Sequence, residues 1–184
     1  NLSEFISTTL ANGGYYIARF EASGTTEKIT SKYDQTVLTT ITQPNAAKLA
    51  REMYGEVKEN NELVYASDLI NSYAWDTAII FIQTYSTRED ASSYARKNKS
   101  TSFEKTGIKN AKYCNICDMS GNACEWTTEY SAFSYDGYFS PCVCRGGYYD
   151  TVLGLADSGT SFRRDWYTAQ SDSCFGLRSL LYVK

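Results

Sequence analysis

Six cysteines carry the softest ligand atoms in the chain, and Cys114, Cys117, Cys124, Cys142, Cys144 and Cys174 all lie in its last 71 residues. Two spacings, Cys114-x-x-Cys117 and Cys142-x-Cys144, are short enough to grip a metal. The second is atypical for a zinc knuckle and no histidine exists to complete a site, so buried or incidental thiols are the better reading. A small disulfide-stapled domain would instead spread its cysteines along the chain. The absence of histidine also removes Ser-His-Asp and Cys-His nucleophilic mechanisms and the usual general base near neutrality. What remains is the chemistry of contact. Residues 130–176 hold Tyr130, Phe133, Tyr135, Tyr138, Phe139, Tyr148, Tyr149, Phe162, Trp166, Tyr167 and Phe175 among Gly, Ser and Asp, with no Glu, Met, Asn or Lys. Tyr and Trp give large, rigid contact area at low entropy cost, while Ser, Gly and Asp give adaptable hydrogen bonds. Little regular periodicity runs through the segment, which predicts long loops. Composition alone weighs a recognition surface and an aromatic core on irregular backbone about evenly.

These residues need a scaffold. The 184 residues suit one domain, and a 42% hydrophobic, 15% aromatic composition can bury a core, which excludes a disordered or fibrous chain. Tyr15 to Glu21, following Gly13-Gly14, predicts an early core strand. Pro44 near the start, Ala46, Ala47, Leu49, Ala50 and Met53 at helical spacing, and Gly55 as a stop predict a first helix of about three turns. A second helix, capped by Asn71 or Ser72, carries a wide apolar face of Tyr73, Ala74, Trp75, Ala78, Ile79, Phe81 and Ile82. Residues 86–112 intersperse Ser and Thr with Arg88, Arg96, Lys97, Lys99, Lys105, Lys109 and Lys112 and read as a solvated connection, with an acidic partner the minority alternative. No internal repeat is present. Eighteen Lys and Arg against 21 Asp and Glu give a net charge of -3, no excess with which to neutralise a phosphate backbone, so nucleic acid is not expected as a partner. No apolar run approaches the roughly 20 residues that span a bilayer. The chain begins at Asn1 without an apolar signal segment, and the expectation is a processed product or an excised domain.

Asp118-Met119-Ser120-Gly121-Asn122-Ala123-Cys124-Glu125-Trp126-Thr127, then Arg145-Gly146-Gly147, then Gly176-Leu177-Arg178-Ser179 resemble the signature series of the formylglycine-generating-enzyme (sulfatase-modifying factor) superfamily. Leu69 to Asp76 is similar to that family's L-P-T-E-A-E-W-E helix start. Order and spacing match over roughly residues 13–184. The resemblance implies an α+β, C-type-lectin-like fold: a small mixed sheet, two helices and long loops. It implies a single domain over 1–184, with a framework to 129, a candidate variable segment at 130–176 and a closing strand at 176–184. In the family's enzymes a pair of cysteines shortly after R-G-G-S binds copper. Here Tyr148-Tyr149-Asp150-Thr151-Val152-Leu153-Gly154-Leu155 follows and holds no thiol. An iron enzyme of the same fold would need histidines. The resemblance is nearer to the non-enzymatic branch, the variable proteins of diversity-generating retroelements in gut Firmicutes and their prophages. Their C-terminal segment is rewritten at adenine-rich codons that yield Tyr, Ser, Asp, Cys, Phe and Gly but not Lys, Glu, Gln, Met or Trp. Segment 130–176 has that bias, from which Trp166 and Gln170 depart, and Leu177 stands where Phe is usual.

The implied function is therefore a ligand-binding receptor or adhesin domain without catalysis or cofactor. Its setting would be extracellular, on a phage tail or bacterial surface within a larger protein, with a protein or other cell-surface ligand as partner. The alternatives are a copper oxidase of the formylglycine-generating type and a surface domain of fixed specificity. The implied ligand contacts are Cys144, Tyr148, Tyr149, Asp150, Thr151, Val152, Leu153, Leu155, Phe162, Asp165, Trp166, Tyr167, Ser171, Asp172, Ser173 and Cys174, with Trp75, Trp126, Arg145 and Arg178 as framework. The family also holds a structural calcium ion in the segment matching Asp118 to Glu125, here through those two side chains and the carbonyls of Gly121 and Ala123. The favoured alternative is that Asp118 and Glu125 cap the turn and pair with arginines.

Overall fold

A computed structural model describes residues 2–60, 62–87, 102–108, 112–135, 137–149, 160 and 162–183. In chain order the elements are α1 (Leu2–Ala11), β1 (Tyr16–Ile17), β2 (Ser23–Gly24), β3 (Ile29–Thr30), α2 (Gln43–Glu52), β4 (Glu56–Glu59), β5 (Glu62–Leu69), α3 (Ser72–Tyr85), β6 (Lys112–Tyr113) and β7 (Ile116–Cys117). They continue with β8 (Cys124–Tyr130), β9 (Ser134–Tyr135), β10 (Tyr138–Phe139), β11 (Cys142–Arg145), β12 (Arg163–Trp166), β13 (Phe175–Leu177) and β14 (Ser179–Val183). The fold is α+β and C-type-lectin-like.

The two expected helices form for the expected local reasons. Thr42 accepts from the N–H of Asn45 and Pro44 sits in the first turn of α2, while Asn71 accepts from the N–H of Ala74 at the start of α3. The sequence reading missed α1, which buries none of its residues. The early strand is shorter than expected: only Tyr16 and Ile17 pair, against Leu181 and Leu180. Among its described residues segment 130–176 is mostly irregular, as its lack of periodicity predicts, with the short strands β9 to β12 set within it.

Two four-stranded sheets carry the core, one ordered β1-β14-β5-β4 and the other β12-β11-β8-β13, with β13 parallel to β8 and every other neighbouring pair antiparallel. Trp126, Phe175, Leu177, Cys124, Cys142 and Cys144 meet Ala46, Ala47, Leu49 and Ala50 of α2 in one apolar cluster. Trp75, Ala74, Ala78 and Ile82 of α3 meet Ile70, Met119 and Leu180 in another. The Trp126 indole stacks on Phe175 at 4.5 Å and donates to the Ile41 carbonyl at 2.7 Å. Gly146 has φ +88°, and a Cβ there would lie 2.9 Å from the Met119 carbonyl and 3.0 Å from the Trp75 ring, so only glycine fits that turn.

Arg178 lies between β13 and β14, where the chain passes from one sheet to the other. It is fully buried. Its Nε donates to both oxygens of Glu125 at 2.9 and 3.0 Å, and its Nη2 donates to Oε1 at 2.6 Å. The remaining guanidinium hydrogens reach the carbonyls of Ala18 (2.8 Å) and Cys117 (2.7 Å). Beside this pair, Glu21 accepts from the Ala123 N–H and from Asn122, and Asp118 accepts from the Gly107 N–H at 2.7 Å. Burial pushes the Glu21 carboxyl well above its ordinary value, aided by the charges of Asp118 and Glu125. Burial likewise raises Asp118 against the pull of Gly107 and Arg178. Breaking the buried pair with Arg178→Gln should cost about 3–5 kcal/mol, because Glu125 would be left charged and alone; thermal or denaturant melts measure it, and a loss under 1 kcal/mol would contradict the role. Raised folded-state carboxyl pKa values contribute stability below the unfolded value that is lost as pH climbs through the folded value. The melting temperature should accordingly fall as pH rises above the ordinary carboxyl range, at ~2–4 °C per kcal/mol for a chain of this size. Melts of the Glu21→Gln variant should show a flatter profile over the same range.

Candidate ligand-binding face

Position in the central sheet decides which side chains of the C-terminal segment can meet a ligand: β11 is buried along its whole length, whereas β12 is exposed at Arg163 and Arg164. Cys142 pairs with Tyr130 on one side and Trp166 on the other, and Cys144 with Trp126 and Arg164. Trp126, Cys142 and Cys144 point into the apolar cluster, and Cys144 is completely buried. The Gly146-Gly147 turn then drops Tyr148 into the same core, 2% exposed and edge-on to Phe162 at 6.2 Å. Phe162 and Cys174 pack on that core as well, and the Cys174 carbonyl accepts from the Cys124 N–H. Packing takes nearly all the surface that Cys144 and Tyr148 would offer a ligand, and part of that of Phe162 and Cys174, which are half-buried. Trp166 is intermediate, with Phe175 against it at 5.2 Å and the Arg164 guanidinium 4.5 Å above its ring.

Tyr149 is half-buried against Phe103 at 4.3 Å, and its N–H donates to the Asn122 carbonyl. Ser171 borders a small pocket with Thr40, Thr42 and Lys48, apart from the aromatic strands. Asp172 and Ser173 are exposed in the turn before β13, and Asp165 is half-buried on β12. Asp150, Thr151, Val152, Leu153 and Leu155 lie outside the described residues.

Tyr167 is the expected contact with the clearest neighbours. Its ring stands edge-on to Tyr138 at 6.0 Å, and Tyr130 meets Phe139 at 5.9 Å. Tyr130, Phe133, Tyr138, Phe139 and Tyr167 are all between 44% and 66% exposed, and all lie on or beside the β9–β10 hairpin. The first four were not among the expected contacts. Their signal was present: Asp136-Gly137 between aromatic residues is the strongest short-range hairpin cue.

Next to Tyr130 opens a cleft of about 900 Å³, lined by Asp76, Glu129, Arg145, Arg163, Tyr73 and Tyr182 among others. The Arg145 guanidinium bridges Asp76 of α3 and Glu129 of β8, Arg163 donates through Nε to Glu129 at 2.6 Å, and Ser72 also donates to Glu129. Burial works against the Glu129 charge, but the bonds from Arg163 and Ser72 and the charges of both arginines prevail and hold its carboxyl below the ordinary value. A carboxylate so stabilised is a poor general base near neutrality. The cleft can hold polar groups, and its ionic floor is already paired.

In the Asp118–Glu125 turn the carboxylates that a cation would need already have donors. Both Glu125 oxygens accept from Arg178 and the Asp118 carboxylate accepts from Gly107. Among the described residues no group of three or more His, Cys, Asp or Glu side chains could hold a metal. A guanidinium stands against the carboxylate that would have to ligate the ion, so these residues do not fit calcium. The melting temperature should be the same with excess calcium and with chelator; a drop of several degrees on chelation would contradict the arrangement.

Among the described residues no helix is long and apolar enough to cross a membrane. No curated protein matches the sequence. Among solved structures the chain is similar to Treponema denticola variable protein 1, at 15% identity and a TM-score of 0.56, over 90% of this chain and 77% of that one. It is also similar to the structure titled Crystal Structure of CarF, at 21% identity and a TM-score of 0.45, over 69% of this chain and 51% of that one. The model of the sulfatase-modifying factor enzyme 1-like domain matches residues 10–181, and the chain belongs to that family.

Proposed function

We propose that the protein is a ligand-binding module of the variable-protein kind, in which the family's scaffold presents a recognition surface and performs no catalysis. The observation that carries this reading is the outward placement of Tyr130, Phe133, Tyr138, Phe139 and Tyr167 in a segment of paratope-like composition. Side chains of this size left in water cost solvation free energy that a soluble fold has no reason to bear five times within one region, unless they contact something. The likeness to Treponema denticola variable protein 1 is one of fold, and it supports the reading because that architecture is used there by a variable protein. The absence of histidine and of a cysteine pair after Arg145-Gly146-Gly147 argues against the family's oxidase chemistry. Asp165, Trp166, Asp172 and Ser173 belong to the same proposed face and Tyr149 and Ser171 to its wider extent, while Asp150, Thr151, Val152, Leu153 and Leu155 are proposed as contacts from the sequence alone. The setting we propose is extracellular, on a phage tail or bacterial surface.

Comparison of this gene between strains should place substitutions at the exposed positions of 130–176, foremost Tyr130, Phe133, Tyr138, Tyr167, Asp172 and Ser173, and spare Trp126, Phe175 and Arg178. An adjacent reverse transcriptase gene and template repeat should accompany that pattern. Uniform substitution along the chain, with neither neighbour, would remove diversification and leave a fixed-specificity module. Oxygen consumption with copper and a cysteine peptide should stay at the protein-free rate; turnover would restore the oxidase reading.

A further inference from the structure

The outer surfaces of α1 and α3 are apolar to an extent that the ligand face does not explain. On α1, Leu2, Ile6 and Leu10 recur at four-residue intervals and are exposed, while the helix buries no residue at all. On α3, Ala74, Trp75, Ala78 and Ile82 face the core, and Tyr73, Ile80, Phe81 and Tyr85 lie on the outside. The hydroxyls of Thr77 and Thr84 on that outer side donate to the helix's own carbonyls of Tyr73 and Ile80, each at 2.7 Å, so they make little demand on solvent. Phe5 stacks on Tyr73 at 5.7 Å, which joins the two helices into one surface.

We infer that this α1–α3 surface is the interface of a homodimer, each copy covering the other. Three features select that occupant. First, Leu2, Ile6, Leu10, Ile80, Phe81 and Tyr85 are from 45% to 77% exposed. With Tyr73 they leave on the order of 700 Å² of mostly apolar surface, close to the ~800 Å² that one partner contributes to a standard interface. Secondly, each copy carries a net charge of -3, so two copies repel except where charge is sparse. The α1 and α3 sequences contain only Glu4 and Asp76 as charged residues, and both border the neighbouring cleft. Thirdly, neither helix has a Lys or Arg, whereas a helix lying on an anionic bilayer surface needs basic residues on its polar side. A two-fold arrangement is the closed solution for a surface that is complementary to itself. Phe5 and Tyr73 share the cleft with Tyr130, but the aromatic residues of the β9–β10 hairpin do not line it, so a dimer that leaves the hairpin free carries two recognition faces and gains avidity for any repeated ligand.

Sedimentation equilibrium tests the inference. The chain should show a reversible mass of twice the monomer. The double variant Ile80→Glu, Phe81→Glu should weaken dimerisation at least tenfold, with a melting temperature no lower than that of the wild-type chain at a concentration where both are monomeric. Leu10→Glu, on the other helix and at the most exposed of these positions, should weaken it in the same direction and serves if the α3 pair loses stability. A wild-type chain that stays monomeric at its highest soluble concentration overturns the inference. So does a dimer unaffected by the variants. Cosedimentation of the wild-type chain, but not the variants, with phosphatidylcholine–phosphatidylglycerol vesicles in place of self-association would assign the surface to lipid and overturn it equally.

Discussion

The ion pair between Glu125 and Arg178 is the contact on which the rest of the architecture depends. Both residues are wholly excluded from water, and a charge there is tolerable only if its hydrogen-bonding capacity is met inside the protein. Arg178 meets this by bonding at once to β8, to the chain just after β1 and to the end of β7. Neighbouring backbone bonds complete the join: the Ile70 N–H donates to the Arg178 carbonyl, the Ala22 N–H to Leu177 and the Thr128 N–H to Ile70. The pair is thus a joint between two sheets. Because its replacement needs two complementary changes at once, the motif around each partner is held to its residue types by folding rather than by ligand binding.

That joint also fixes the course of the C-terminal segment independently of its surface residues. Phe175 and Leu177 are locked against Cys124 and Trp126 by the parallel pairing of β13 with β8, while β11 is clamped between β8 and β12. Between these fixed strands the chain turns outward at the β9–β10 hairpin and at the turn after β12. The inward positions, Cys142, Cys144 and Phe175, keep the core filled, whereas Tyr130, Phe133, Tyr138, Phe139 and Tyr167 are largely exposed. Changes at exposed positions away from caps and networks usually move stability by no more than ~0.5 kcal/mol, whereas truncating a buried Phe costs roughly 3–5 kcal/mol. The paired ionic floor beneath Tyr130 adds rigidity: Glu129 is held by Arg163, Arg145 and Ser72 from three elements.

Much of this was legible in the sequence. The helix starts at Thr42 and Asn71 follow from side chains that can accept from the first turn, and the framework roles of Trp75, Trp126, Arg145 and Arg178 follow from the motif residues around them. The ligand face was less legible, for two physical reasons. Burial of a whole strand is set by what packs on both of its faces, so Cys144 looks like a loop contact in composition yet lies inside β11, buried along its length between β8 and β12, and Tyr148 follows it into the core after the Gly146-Gly147 turn. Short strands of two residues leave no periodicity to detect, so β9 and β10 read as loop even though Asp136-Gly137 marked the turn. Helix α1 escaped because Ser and Thr dilute its pattern and because its apolar stripe faces away from the core, which is itself the feature that calls for a partner.

On the proposed function, fold and recognition are carried by separate sets of side chains in one segment. A proteolytic-stability scan of every single substitution across residues 124–183, with the protein displayed on a cell surface, measures this directly. The account predicts broad tolerance at Tyr130, Phe133, Tyr138, Phe139 and Tyr167 and intolerance at Glu125, Trp126, Phe175 and Arg178. Loss of stability on replacing the exposed aromatics, comparable to that at Phe175, would show them to be structural and would contradict it.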